Sequence, residues 1–161
     1  MAFEEFIRTF PDARLYIIGD GPYYDAAAAY LKEKHLTDNI ILTGRVENKD
    51  MISYYNRSTV YLMSSMSEGM PRTLLEAMAC EIPVVCTDIP QLVPIIQTGG
   101  IVIPKRDTAA IISALTYLAE NPKKCREFGK AGRKLIEETY SLTKMNSATE
   151  EVYRDALLRE Q

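Results

Sequence analysis

The chain has 161 residues, of which 47% are hydrophobic, 25% charged and 9% aromatic, with 8 glycines and 8 prolines; this is the profile of one soluble globular domain that buries a core without disulfides or a structural metal. Nineteen Lys and Arg against 22 Asp and Glu leave a net charge of −3, which offers no electrostatic footprint for nucleic acid. Cys80, Cys86 and Cys125 lack C-x-x-C spacing and His35 stands alone, which excludes a typical zinc site and points to a reducing, cytosolic compartment, while no apolar run approaches the roughly 20 residues that span a bilayer.

Met1 to Phe10 reads as an amphipathic helix with Phe3, Phe6, Ile7 and Phe10 on one side. No strand precedes it, as a βαβ alternation would demand. From there short apolar runs alternate with stretches of helical period: a strand at Ala13 to Gly19, a helix at Tyr24 to Leu36, a strand at Asn39 to Thr43 and a helix at Asp50 to Arg57. The alternation continues with a strand at Thr59 to Ser64, a helix at Arg72 to Cys80, a strand at Pro83 to Thr87, a short helix at Leu92 to Gln97 and a strand at Gly100 to Ile103. Strands apolar on both faces and joined by helices belong to a parallel sheet covered on both sides, so the expected fold is doubly wound α/β, Rossmann-like. Beyond Pro104 the pattern is helical: Thr108 to Glu120, Pro122 to Tyr140 with a loop-like Gly129 to Gly132 inside it, and Ser141 to Arg159 with Ser141 as its cap. No repeat or long linker divides the chain, and one domain is expected.

In open α/β sheets ligands bind beyond the carboxyl ends of the strands. Three loops there carry candidate residues. Gly19 and Gly21 flank Asp20, and Pro22 is placed as a first helical residue; such glycines let a phosphate approach amides at a helix end, or simply make a turn. In Thr43-Gly44-Arg45-Val46, Gly44 gives room for a nucleobase whose edge the backbone of Arg45 or Val46 would read, or the stretch is a plain strand-to-loop transition. In the third, Glu68 lies in the loop, Pro71 marks a helix start, and Glu76 shares a helix face with Thr73. The free amides of that first turn welcome an anion. A carboxylate placed like Glu76 can accept two hydrogen bonds from a ribose diol, and it can equally be an exposed helix former. For Glu68 the bland alternative is helix-dipole stabilisation.

At this loop the sequence resembles the glycosyltransferase family 4 of retaining sugar-nucleotide transferases, which have the GT-B architecture of two facing Rossmann-like domains. The pattern stands here as Glu68-Gly69-Met70-Pro71, Glu76-Ala77-Met78-Ala79 and Pro83-Val84-Val85, with seven residues between the two glutamates. Pro11-Asp12-Ala13, Gly19-Asp20-Gly21-Pro22, Thr43-Gly44-Arg45-Val46, Thr87-Asp88, Val102-Ile103-Pro104 and Tyr140-Ser141-Leu142 extend the likeness over nearly the whole chain. The resemblance implies a donor-binding domain in which Glu76 binds ribose hydroxyls, Glu68 faces the donor sugar and assists the reaction, backbone amides at Gly69 and Met70 touch sugar or diphosphate, and the Gly44 to Val46 loop holds the base. It implies no cofactor and no metal, a UDP- or GDP-sugar donor and a cytoplasmic enzyme of glycan or polysaccharide biosynthesis. Peripheral contact with the inner face of the membrane would run through an N-terminal acceptor-binding domain, which is expected to be missing along with the opening strand of the donor domain and its diphosphate-gripping Arg and Lys.

The sequence departs from the family at Glu81, where glycine is usual, and at Pro90-Gln91-Leu92-Val93-Pro94, where a Gly-Gly-x-x-Glu stretch is usual. A non-catalytic nucleotide-binding or interaction module on the same scaffold is the alternative these departures leave open. The last helix, with Met145, Ala148, Val152, Tyr153 and Ala156 at helical spacing, is implied to cross back toward the N-terminal domain and to expose its apolar stripe without it.

Overall fold

A computed structural model describes residues 2–159. Its elements run α1 (Ala2–Thr9), β1 (Leu15–Ile18), α2 (Tyr24–Glu33), β2 (Ile40–Gly44), α3 (Asn48–Tyr55), β3 (Tyr61–Met63), α4 (Arg72–Ala79), β4 (Val84–Thr87), α5 (Val93–Gly99), β5 (Gly100–Ile103), α6 (Thr108–Glu120), α7 (Pro122–Leu135), a π-helical turn (Ile136–Tyr140) and α8 (Leu142–Arg159). Met1, the expected start of the first helix, lies outside the described residues. The alternation read from the sequence is present throughout.

Every strand pair is parallel. Strand β4 shows why the fold is doubly wound: all four of its residues are buried, with Val84 and Cys86 in one apolar cluster and Val85 in another. Period-two alternation along a strand sends neighbours to opposite faces. One face carries Tyr55 of α3, Leu74, Ala77 and Met78 of α4, and Ile95 and Ile96 of α5. The other carries Phe3 and Phe6 of α1, Leu31 of α2, and Ala114, Leu115 and Leu118 of α6.

The expected single sheet is hydrogen-bonded in two parts, β1-β2 and β3-β4-β5. One apolar layer nonetheless spans both, since Ile40 of β2 shares its cluster with Val85 and Ile103. Among the described residues β1, β2, β3 and β5 each keep one unpaired edge, and only β4 is paired on both sides. The expectation that every strand is covered fails at β1, where Tyr16 and Ile17 are exposed; successive side chains point to opposite faces of a sheet, so cover is incomplete on both faces there.

Helix ends supply further corrections. The helix read as Tyr24 to Leu36 stops at Glu33 because His35 takes φ 54°; the amide of Leu36 then bonds the carbonyl of Leu31 and that of His35 the carbonyl of Lys32. This is a Schellman closure, with buried Leu31 and Leu36 as its apolar contact. The same closure ends α4: Glu81 at φ 60° and Ile82 donate to Met78 and Ala77. A left-handed residue is required at that position, which accounts for glycine being usual there, and Glu81 adopts the conformation at some steric cost.

No loop interrupts the helix at Gly129 to Gly132. Both glycines lie inside α7 as contact points: a Cβ on Gly129 would come within 2.1 Å of the Glu81 carbonyl, and one on Gly132 within 3.4 Å of the Gly99 Cα. Absent side chains let α7 lie against α5 and the α4–β4 turn. Ser141 does cap α8, its hydroxyl accepting from the Lys144 amide. Along α8, Leu142, Met145, Val152, Tyr153, Leu157 and Leu158 are all exposed.

Replacing Gly129 by Ala forces the α7 backbone off Glu81. We expect a loss of about 1–3 kcal/mol, the usual cost of overpacking, and hence a fall in Tm of at least about 2 °C, whereas Gly21→Ala, with no neighbour within 4 Å, should leave Tm nearly unchanged. Calorimetric melting of both variants checks this.

Candidate functional site

The loops that leave the strands are positioned by short polar bonds at the strand ends. Gly19 donates its amide to the Gly44 carbonyl at 2.9 Å, so two of the expected loops are joined directly. Gly19 at φ 137° lies where side chains are strained, and Gly44 at φ 67° takes the left-handed conformation that favours glycine. Gly21 lies in open space, Arg45 is exposed and Val46 half-buried. Pro22 is not the first helical residue: it sits in a turn closed by the Tyr24 amide on the Gly21 carbonyl, and α2 begins at Tyr24.

The loop between β3 and α4 is tied down at Glu68. The Ser65 hydroxyl donates to Glu68 Oε1 at 2.7 Å, and the Thr87 hydroxyl, buried at the end of β4, donates to the Ser65 carbonyl at 2.6 Å. From the loop after β4, the Gln91 amide donates to the Glu68 carbonyl at 2.5 Å. Glu68 is thereby held both at its carboxylate and at its backbone. Gly69 and Met70 are exposed next to it, and Pro71 precedes α4 with no side-chain cap on the first turn. Uncapped amides and the positive end of the helix dipole favour an anion in front of them.

Glu76 lies a turn into α4 with its side chain about 40% exposed. It is not a free surface carboxylate. The Tyr55 hydroxyl donates to its Oε2 at 3.0 Å, and the Arg72 guanidinium stands 3.8 Å from Oε1. Beside this pair the hydroxyls of Tyr61 and Thr73 bond at 2.8 Å. Among the described residues no three His, Cys, Asp or Glu come together as a metal cluster, and no helix is long and apolar enough to cross a membrane.

Ser65, Thr87 and Gln91 were not legible in the sequence as parts of this loop, and neither were Tyr55 and Tyr61. Gln91 did stand out, as part of the stretch replacing the usual glycines. Tyr55 is 21 residues from Glu76, and no local spacing relates the end of α3 to the second turn of α4.

Burial pushes the Tyr61 hydroxyl up to about 12, against a smaller opposing pull from Thr73, and burial followed by the bond to Glu76 raises Tyr55 still further. Both phenols are therefore neutral in the folded chain where the unfolded chain has begun to ionise. Stability from these groups is complete below the ordinary phenol value of 10 and is lost as pH climbs toward 12. The urea midpoint should fall over that interval, and Tyr61→Phe should flatten the fall; an equally steep fall in the variant would assign the alkaline loss to other groups.

Residues 1–135 match the family model described as glycosyl transferases group 1. The N-acetyl-alpha-D-glucosaminyl L-malate synthase of Bacillus anthracis is 28% identical over 148 residues, 91% of this chain and 38% of its own length. Sucrose-phosphate synthase from Thermosynechococcus elongatus superposes with a TM-score of 0.87 at 20% identity, over 98% of this chain and 42% of that one. Anabaena HepE, solved in complex with UDP, gives 0.82 at 14% identity over 90% of this chain and 42% of that one. The chain thus spans about two fifths of these relatives, and the fold it shares with the solved structures is the Rossmann-like fold of GT-B glycosyltransferases. With the family pattern matched over most of its length, the chain belongs to the group 1 glycosyl transferases.

Proposed function

We propose that this chain is the donor-binding part of a retaining glycosyltransferase that moves a hexose-type sugar from a UDP- or GDP-sugar to an acceptor hydroxyl in glycan or polysaccharide biosynthesis. The observation that carries the reading is the constraint on two carboxylates around one helix start. Glu68 is pinned before the uncapped amides of α4 and Glu76 is held a turn inside it. A nucleoside diphosphate needs such a site: an anion-binding helix end beside a carboxylate that can accept from a diol.

In this reading Glu76 takes the ribose hydroxyls, the amides of Gly69 and Met70 meet the sugar or diphosphate, and the Gly44 to Val46 loop holds the base next to Gly19 and Gly21. Glu68 is the catalytic residue facing the donor sugar. Departure of the nucleoside diphosphate is eased by fixed dipoles aimed at the charge that develops on it, with no cofactor or metal. UDP in the complex of HepE is compatible with a UDP donor.

The unpaired edges of β1 and β3 support the further proposal that an additional parallel strand belongs to this domain. Entering α1 by the right-handed crossover that βαβ units follow, it would lie beside β1, and its loop would open onto the same strand ends. An acceptor-binding domain N-terminal to it would complete the cleft and take up the exposed stripe of α8. The reading as a non-catalytic module rests on Pro90 to Pro94 and Glu81. Against it, Gln91 closes the loop on Glu68 and Glu81 completes the α4 cap.

Glu76→Gln should leave the fold intact and weaken UDP or GDP binding about tenfold or more, since charge-assisted bonds contribute about 1.5–3 kcal/mol; unchanged affinity by calorimetry would remove the ribose assignment. The 161-residue chain incubated with UDP- and GDP-sugars and acceptors should transfer no sugar, while the full-length protein should. Holding two reactants in attack geometry is worth about 7–11 kcal/mol, and half a cleft does not supply it. Robust transfer by the chain alone would overturn the two-domain reading.

A further inference from the structure

We propose that Tyr55 is a positioning residue for nucleotide binding, its hydroxyl holding the Glu76 carboxylate in the orientation that receives the ribose diol. This rests on the donor-site reading of Glu76 given above. Tyr55 closes α3, only 6% exposed, in the apolar cluster that also contains Leu74, Ala77 and Met78 of α4. Its ring is therefore fixed relative to the helix that carries Glu76. The hydroxyl reaches Glu76 Oε2 at 3.0 Å and lies 3.5 Å from the Thr73 carbonyl.

The two carboxylate oxygens are held very differently. Oε2 has a donor on a rigid, buried ring, whereas Oε1 has only the Arg72 guanidinium at 3.8 Å on a side chain about 79% exposed. A long exposed arginine holds nothing in one geometry without losing its own rotamer freedom. Tyrosine has two side-chain torsions and both are set here by packing. The carboxylate is thus turned before any ligand arrives, and a diol meets an acceptor whose ordering cost is already met. One bond to Tyr55 leaves the remaining lone pairs of the carboxylate available to a diol.

The neighbouring bond between Tyr61 and Thr73 adds to the argument. It occupies the Thr73 hydroxyl, so the Tyr55 hydroxyl has the Glu76 carboxylate at 3.0 Å as its nearer acceptor and the Thr73 carbonyl at 3.5 Å as its farther one. Among the described residues no further hydrogen bond to the Glu76 carboxylate competes with Tyr55. Tyr55→Phe removes the hydroxyl alone and keeps the ring in the core.

The test compares Tyr55→Phe, Glu76→Gln and the double variant of this chain for binding of UDP, GDP and 2′,3′-dideoxy-UDP by ligand-observed NMR. Tyr55→Phe should weaken UDP or GDP binding roughly tenfold. It should leave the dideoxy analogue untouched and add nothing in the Glu76→Gln background. Equal losses for UDP and the dideoxy analogue would show a general structural role, and so would additive losses in the double variant; either overturns the proposal. If Glu76→Gln weakens UDP binding and Tyr55→Phe does not, this inference alone falls, and if Glu76→Gln changes nothing the ribose reading falls and takes it along. A measurement without ligand guards against weak affinity: side-chain relaxation should show the Glu76 γ-methylene ordered in the native chain and averaged in Tyr55→Phe, and a methylene equally ordered in both would overturn the proposal.

Discussion

Burial of β4 on both faces is the constraint from which the rest of the structure follows. Its four residues leave no side for solvent, so helices must cover the sheet above and below. Each buried aliphatic side chain of this size contributes about 1.5–3 kcal/mol, and Val84 and Val85 are both fully buried, as is the smaller thiol of Cys86. The same strand ends in Thr87, whose buried hydroxyl has to find a partner. It finds the Ser65 carbonyl and so fixes the loop that carries Glu68. The core and the candidate site are thereby parts of one packing solution.

Close backbone approach is the second organising feature. Gly99, Gly129 and Gly132 let α7 press on α5 and on the turn at Glu81, and the Schellman closures at His35 and Glu81 stop α2 and α4 where the next strand must begin. Had either helix run a turn longer, the strand after it would enter the sheet out of register. Glu81 shows how a position suited to glycine is occupied otherwise: the backbone takes the left-handed conformation and the carboxylate lies 3.8 Å from Arg133, which also bonds Glu137. Exposed pairs of this kind are individually weak; the closure itself holds the geometry.

At the strand ends the electrostatics are arranged without clustered charge. Glu68 is held by neutral donors from Ser65 and Gln91, and Glu76 by a neutral phenol, while the uncapped start of α4 supplies the positive end of a dipole. Neutral donors orient a carboxylate without cancelling its charge. A site built so can accept hydroxyls at its carboxylates and an anion at its amides, which are the two demands of a nucleoside diphosphate under the proposed function.

By itself the sequence determined the alternation of strands and helices, the parallel doubly wound class, the capping of α8 by Ser141, the loop that carries Glu68, the helix that carries Glu76 and the strand ends at Gly19 and Gly44. These were legible because they depend on local period and on turn residues, which act over a few positions. Tertiary structure decided the rest. Gly129 and Gly132 look like a loop in a one-dimensional reading and are helix contacts in space, and the helix through Leu36 ends early because a left-handed His35 and an apolar cap outweigh its periodicity. The split between β1 and β3 depends on which edges meet, and of the partners of the two glutamates Tyr55 and Gln91 lie 21 and 23 residues away on other segments. Hydrogen bonds between distant segments leave no periodic trace in a sequence, because packing alone sets which ring or amide comes within 3 Å of a carboxylate or carbonyl.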